Sequence, residues 1–187
     1  MSRAPTLRVA SGIWKGRRLE VPPSARPTSG RARAALFDTL QGRIPGARLL
    51  ELYAGSGSVG LEALSRGAAR AVFVERDAAA LRRNLERLSP SPGTVEVLAE
   101  DAMAALARLR RLPERFDVVF GDPPYDAQGP EGLLEAAAPL LAPGGVLVVQ
   151  ADAPARMPAE AGGLRLLDRR GYGRNVFWLY AAAPRAF

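Results

Sequence analysis

The chain has 187 residues, 48% of them hydrophobic, which is enough apolar material for one globular core. It contains no cysteine and no histidine, which excludes disulfides, thiolate nucleophiles, a histidine general base and the usual zinc ligands. Its 26 basic side chains exceed the 19 acidic ones, and the excess is local: residues 1–50 carry ten basic and two acidic groups, the remainder 16 and 17.

A basic segment ahead of a near-neutral body is the electrostatic footprint of a phosphate-rich partner. No apolar run reaches the roughly eighteen residues of a membrane span, and Met1-Ser2-Arg3-Ala4-Pro5 lacks the apolar centre of a secretory signal. The expectation is a soluble, cytoplasmic protein without membrane association, monomeric at this length.

In chain order, residues 8–11 and 17–21 bracket the stretch 12–16 and predict a basic β-hairpin with Trp14 near its tip. A helix over 30–40 follows, capped by Thr28 or Ser29. From Arg48 onward short apolar runs alternate with helical patterns, the signature of a parallel sheet wrapped by helices. The runs predict strands over 48–53, 71–75, 94–98, 116–121 and 145–150. Helices are predicted over 59–66, 78–88, 102–109 and 132–140, the last stopped by Pro143-Gly144-Gly145. Residues 164–169 and 176–181, separated by a turn-rich stretch at 171–175, predict a closing antiparallel hairpin.

The first of these strands runs into Tyr53-Ala54-Gly55-Ser56-Gly57-Ser58-Val59-Gly60, a Gly-x-Gly-x-x-Gly pattern where a strand hands over to a helix. Such turns let a ligand approach the backbone at a helix N-terminus, and they serve nicotinamide and flavin folds as well. Three carboxylates point instead to S-adenosylmethionine. Glu51 ends the first strand, where it would attract the methionine ammonium. Glu75 ends the second, placed to accept from both ribose hydroxyls, and Asp101 follows the third, within reach of the adenine amino group. Ligands of open parallel sheets bind outside the carboxyl ends of the strands, so these side chains are expected to converge on one crevice with Ala54, Gly55, Ser56, Gly57, Arg76 and Ala102. Each carboxylate taken alone also reads as a helix N-cap.

The strand over 116–121 ends in Asp122-Pro123-Pro124-Tyr125, at the same edge. An exocyclic amine on a nucleic-acid base is a poor nucleophile because its lone pair is delocalised into the ring. Asp122 and a backbone carbonyl can accept both amino hydrogens and localise that lone pair. The prolines stiffen the loop and remove two donors, and Tyr125 can stack on a base taken out of its helix. Methyl transfer built this way relies on positioning and electrostatics and needs no metal.

Through these motifs the chain resembles the bacterial methyltransferases that modify the N2 amino group of a guanine in small-subunit ribosomal RNA. The resemblance is carried by Arg8-Val9-Ala10-Ser11-Gly12-Ile13-Trp14-Lys15-Gly16-Arg17-Arg18-Leu19, by Arg26-Pro27-Thr28-Ser29 with Arg31, Arg33 and Leu36-Phe37, by the glycine-rich turn with Gly60-Leu61-Glu62-Ala63-Leu64-Ser65-Arg66-Gly67, and by Asp122-Pro123-Pro124-Tyr125. It implies an α/β Rossmann-like class I methyltransferase, a seven-stranded, mostly parallel sheet whose last strand is antiparallel, preceded by a small hairpin. It further implies S-adenosylmethionine as cosubstrate with S-adenosylhomocysteine as product, Thr28 near the cofactor, and ribosomal RNA, free or in a partly assembled small subunit, as partner. Residues 1–27 would then be an RNA-binding arm using Arg8, Trp14, Lys15, Arg17, Arg18 and Arg26, with Arg31 adjoining it, and residues 28–187 the methyltransferase domain. The family usually carries acidic residues where Gly30 and Ala35 stand here.

Three rivals remain from the residues alone. The tetrapeptide also serves adenine N6 or cytosine N4 methylation of DNA. The glycine-rich turn also serves nicotinamide-dependent oxidoreductases, although the single lysine, Lys15, rules out a Tyr-x-x-x-Lys pair. A ribosome-assembly protein could keep the fold without turnover.

Overall fold

The structure is a computed structural model that describes residues 7–22, 29–124, 129–152 and 155–182. Strands β1 (Leu7–Arg8) and β2 (Arg18–Leu19) form a short hairpin, and α1 (Gly30–Leu40) leads into the sheet. The body then runs β3 (Arg48–Leu52), α2 (Ser58–Ser65), β4 (Arg70–Val74), α3 (Ala79–Leu88), β5 (Val95–Leu98), α4 (Ala102–Leu109), β6 (Phe116–Gly121) and α5 (Gly129–Ala137). It closes with β7 (Leu141–Asp152), β8 (Glu160–Ala161), β9 (Leu164–Tyr172) and β10 (Asn175–Ala182). Ser29 caps α1 through a side-chain bond from the Ala32 amide at 3.2 Å. Among the described residues no helix is long and apolar enough to cross a membrane.

The sheet has eight strands in the order β5-β4-β3-β6-β7-β10-β9-β8, parallel from β5 to β7, with β10 antiparallel to both neighbours. The strand count corrects the expected seven. The extra strand is the two-residue β8, which pairs antiparallel with the start of β9 and is too short to leave a pattern in the sequence. A second correction concerns Pro143-Gly144-Gly145, expected to stop a helix. The helix already ends at Ala137, a 3₁₀ turn carries the chain to Leu140, and all three residues lie inside β7. They sit at an irregularity in the β6–β7 ladder, where a Cβ on Gly145 would come within 2.9 Å of the Phe116 carbonyl oxygen.

Side chains alternate across the sheet and divide the core in two. Leu49, Ala71, Phe73, Val118, Phe120, Val148 and Phe177 pack with α1, α2, α3 and the hairpin. Leu50, Leu52, Val72, Val74, Val119, Leu147 and Trp178 pack with α4 and α5 on the other face.

A two-residue ladder cannot hold a hairpin by itself; buried groups of the body do so. Leu7, Val9 and Leu19 join the first core, and Trp14 packs against it partly buried. On α2, the Glu62 carboxylate accepts from the Ala10 and Ser11 amides at 2.7 and 3.0 Å. Ser65 Oγ takes the Trp14 amide at 2.9 Å and donates to the Ser11 carbonyl at 2.6 Å. Gly12 has φ +79°, and a Cβ there would lie 1.7 Å from the Ser65 carbonyl oxygen, so only glycine lets the hairpin approach so closely. Arg33, which the sequence groups with the basic face, is 1% exposed. Its guanidinium donates to the Arg8 carbonyl and faces Glu62 at 3.6 Å, while Arg66 binds the same carboxylate at 2.8 Å.

Removing Glu62 leaves two amides without their acceptor and the buried Arg33 guanidinium without its counter-charge, a change that costs about 3–5 kcal/mol. Glu62→Ala is therefore expected to lower the melting temperature by roughly 10 °C. A shift under a degree, read by calorimetry, would show that the hub does not hold the hairpin.

Candidate active site

Strand register sets the working edge. Leu98 pairs with Val74, Val74 with Leu52, Leu52 with Gly121 and Gly121 with Val149, so the carboxyl ends of four parallel strands stand level beside Val149 of β7, which runs on to Asp152. The next residues along β4, β3, β6 and β7 are Glu75, Tyr53, Asp122 and Gln150, which form one row above the edge.

The glycine-rich turn is built on Glu51, which is 2% exposed. Its two carboxylate oxygens accept from the Val59 and Gly60 amides at 3.3 and 2.7 Å, so it is committed to the N-terminus of α2, where a negative charge is favoured. Burial outweighs those bonds and pushes the Glu51 carboxyl up to about 8. Gly57, at φ +74°, leaves no room for a Cβ, which would meet Leu81 at 2.4 Å. Tyr53 is left-handed at φ +56°, an uncommon conformation for a bulky residue. Alternation from Leu49 and Glu51 would send its ring to the α2 face; instead it packs against the α4 and α5 core.

Beside that ring lies a crevice of about 390 Å³ lined by Tyr53, Val74, Glu75, Arg76, Glu100, Asp101, Ala102, Met103 and Pro124. Glu75 braces the turn from the crevice side, accepting from the Gly55 amide at 2.7 Å and the Asp77 amide at 3.1 Å. Asp101 caps α4 through the Met103 and Ala104 amides at 2.9 and 3.0 Å and pairs with Arg76. The Ala104 amide, followed by Arg76, holds the Asp101 carboxyl below its ordinary value. Glu100 turns to Arg108 at 2.6 Å.

Asp122 follows β6 and Pro124 closes one side of the crevice, so the tetrapeptide and the glycine-rich unit share one edge. Gln150 Nε2 donates to Asp122 Oδ2 at 2.9 Å. Burial, with the charge of Asp152 behind it, pushes the Asp122 carboxyl up to about 7.

A family model described as Conserved hypothetical protein 95 matches residues 7–181. The chain belongs to this family. Ribosomal RNA small subunit methyltransferase D of Escherichia coli (strain K12) is 40% identical over 148 residues, covering 78% of this chain and 71% of that one. The Bacillus subtilis protein YlbH is 34% identical over 181 residues, 93% of this chain and 98% of its own. Among solved structures, a hypothetical protein of Thermus thermophilus superposes with a TM-score of 0.79 at 37% identity, covering 92% and 98% of the two chains. The resemblance drawn from the N-terminal motifs and the tetrapeptide is thereby borne out. So is the Rossmann-like methyltransferase fold, with its eighth strand.

Of the residues singled out in the sequence, the family fold brings Glu75, Arg76, Asp101 and Ala102 together at the crevice with Pro124. Ala54 and Ser56 are buried in the turn, and Glu51 lies beneath it. Arg8, Lys15, Arg17, Arg18 and Arg31 are exposed. Arg26, Thr28 and Tyr125 lie outside the described residues. Sequence reasoning missed Tyr53, Glu100, Met103 and Gln150. For Gln150 a signal existed, since a polar residue interrupts the apolar end of a parallel strand beside the tetrapeptide strand.

Because its folded carboxyl titrates near 7 and an ordinary aspartate near 3.8, Asp122 keeps a proton in the folded chain that the unfolded chain has already lost between about pH 4 and 7. The folded state binds more protons throughout that window, so Asp122 lowers stability as pH rises across it. Asp122→Asn is therefore expected to melt above the parent protein at pH 8 and level with it near pH 4. An equal difference at both pH values, by differential scanning calorimetry, would contradict the burial-driven shift.

Proposed function

We propose that the protein transfers the methyl group of S-adenosylmethionine to the exocyclic N2 amino group of a guanine in small-subunit ribosomal RNA. The observation that carries this reading is the level row Glu75, Tyr53, Asp122 and Gln150, which joins a nucleotide-sized crevice to an Asp-Pro-Pro segment at one sheet edge. The name of the Escherichia coli relative supports the substrate class.

The crevice fits that cosubstrate. Its volume of about 390 Å³ is that of a small-ligand site, and Glu75, Glu100 and Asp101 give its rim an acidic balance that suits a cationic sulfonium and ammonium. Each Glu75 oxygen accepts from one backbone amide and, with two lone pairs, can take a ribose hydroxyl as well. Asp101 and Ala102 stand at the adenine end, while Ala54, Gly55, Ser56, Gly57, Arg76 and Thr28 complete the set. Glu51 acts from below by holding α2 and the turn in register. When bound there, S-adenosylmethionine supplies an electrophilic methyl group.

The remaining work falls to this chain. Asp122 Oδ1 and the Pro123 carbonyl accept the two amino hydrogens, which returns lone-pair density from the ring to the nitrogen and aims it. As the new N–C bond forms and the carbon–sulfur bond breaks to leave the thioether S-adenosylhomocysteine, the nitrogen sheds one proton to Asp122, whose value near 7 suits a group that must accept it and release it again. Tyr125 of the same tetrapeptide supplies the aromatic face for the extruded base. Residues 1–27 serve as the RNA-gripping arm, with Arg8, Lys15, Arg17, Arg18 and Arg26 on phosphates and Trp14 anchoring the arm. Arg31 extends this surface onto the body at 28–187. The protein acts as a cytoplasmic monomer on free RNA or a partly assembled subunit.

The test is transfer of a radiolabelled methyl group to small subunits, naked small-subunit RNA and duplex DNA. Labelling of small-subunit RNA is expected, and Asp122→Ala is expected to lower kcat at least about a hundredfold while retaining subunit affinity. Glu75→Ala is expected to weaken S-adenosylhomocysteine binding about tenfold or more by calorimetry. Labelling of duplex DNA alone would overturn the RNA reading.

A further inference from the structure

Gln150 is a buried amide at the end of an apolar stretch of strand. It ends the apolar run Val146-Leu147-Val148-Val149 and is 5% exposed. Its Nε2 lies 2.9 Å from Asp122 Oδ2 and 3.5 Å from Asn175 Oδ1, so three adjacent strands, β6, β7 and β10, each present one polar group at this point. Between two acceptor oxygens only the amino end of the amide is favourable, and that fixes its orientation.

We propose that Gln150 is a positioning residue for methyl transfer: its carboxamide, set between Asn175 and Asp122, fixes the Asp122 carboxylate so that Oδ1 faces the amino hydrogen of the target base. The proposal rests on the reading of Asp122 as the acceptor of that hydrogen.

The choice of an amide follows from the charges around it. Beside Asp122 stand Gln150 and Asp152 of β7, with Asn175 of β10 on the far side of the Gln150 amide; the charged group among these is Asp152, which works against ionisation of Asp122. A donor to Oδ2 favours the ionised, accepting form and offsets that repulsion. Lysine or arginine at this position would favour it more strongly, yet would set a cation beside a cationic methyl donor. A neutral donor holds the carboxylate without that penalty. It also removes rotation about the Asp122 side chain, and methyl transfer tolerates misalignment of only roughly 10–20°.

The experiment uses the full-length protein with Gln150→Leu and Asp152→Asn. Two titrations are recorded for each: the acid limb of kcat against pH, and the Asp122 carboxyl followed by carbon-13 NMR. Gln150→Leu is expected to lower kcat about tenfold or more, with S-adenosylhomocysteine affinity and melting temperature near those of the parent, and to move both titrations to higher pH. Asp152→Asn is expected to move both to lower pH. Opposite shifts from neighbouring substitutions are not produced by a general loss of packing. Unchanged titrations in Gln150→Leu, or a fall in kcat matched by an equal fall in cofactor affinity, would overturn the proposal. The NMR titration needs no turnover, so opposite shifts there support the Gln150–Asp122 coupling even in a protein that methylates no RNA, an outcome that would sink the functional reading alone.

Discussion

Helix α2 is tied by two buried carboxylates, Glu51 at its N-terminus and its own Glu62, and the placing of the sheet edge beside it depends on both. At its N-terminus Glu51 takes the Val59 and Gly60 amides; one turn further on, Glu62 takes the backbone of the N-terminal hairpin together with Arg33 and Arg66. Buried charge is costly unless fully engaged, and burial raises the Glu51 carboxyl to about 8 in spite of the two amides. In return one eight-residue helix fixes two things at once, the glycine-rich turn beside the crevice and the basic hairpin. Asn84 of α3 adds a second tie, donating to both the Glu20 and Ser56 carbonyls, so that the exit of the hairpin and the turn share one amide.

The same economy of buried polar groups governs the sheet edge at Asp122. Asp122 stands where burial and Asp152 oppose its charge, and the Gln150 amide donates to one of its oxygens. An acceptor that titrates near 7 can both take and return a proton, whereas a fully solvated aspartate would hold one too weakly. The cost appears as stability lost when the group ionises, a common relation between active sites and the folds that carry them.

Much of this was legible in the sequence, because parallel strands buried on both faces read as apolar runs and because their register carries the residue after each run to one edge. Glu75 and Asp122 are legible in that way, and Asp101 as the cap of the helix that follows the third run. What stayed hidden had physical reasons. Tyr53 changes face through a left-handed φ that no periodicity announces, and β8 is too short to carry a pattern. Arg33 looks like one more basic side chain until its partner Glu62, 29 positions away on a different helix, is placed against it. Asp101 caps α4 with one oxygen while lining the crevice, so a helix cap and a crevice position meet in one side chain.

The central claim, that one sheet edge unites a cofactor crevice with a base-amine acceptor for ribosomal RNA, is tested most directly in cells. Nucleosides of small-subunit ribosomal RNA from a strain lacking this protein should be mapped by mass spectrometry against the parent. The account predicts that N2-methylguanosine disappears at one position and returns with the intact gene but not with one encoding Asp122→Ala. An unchanged set of methylated nucleosides in the deletion strain would contradict it.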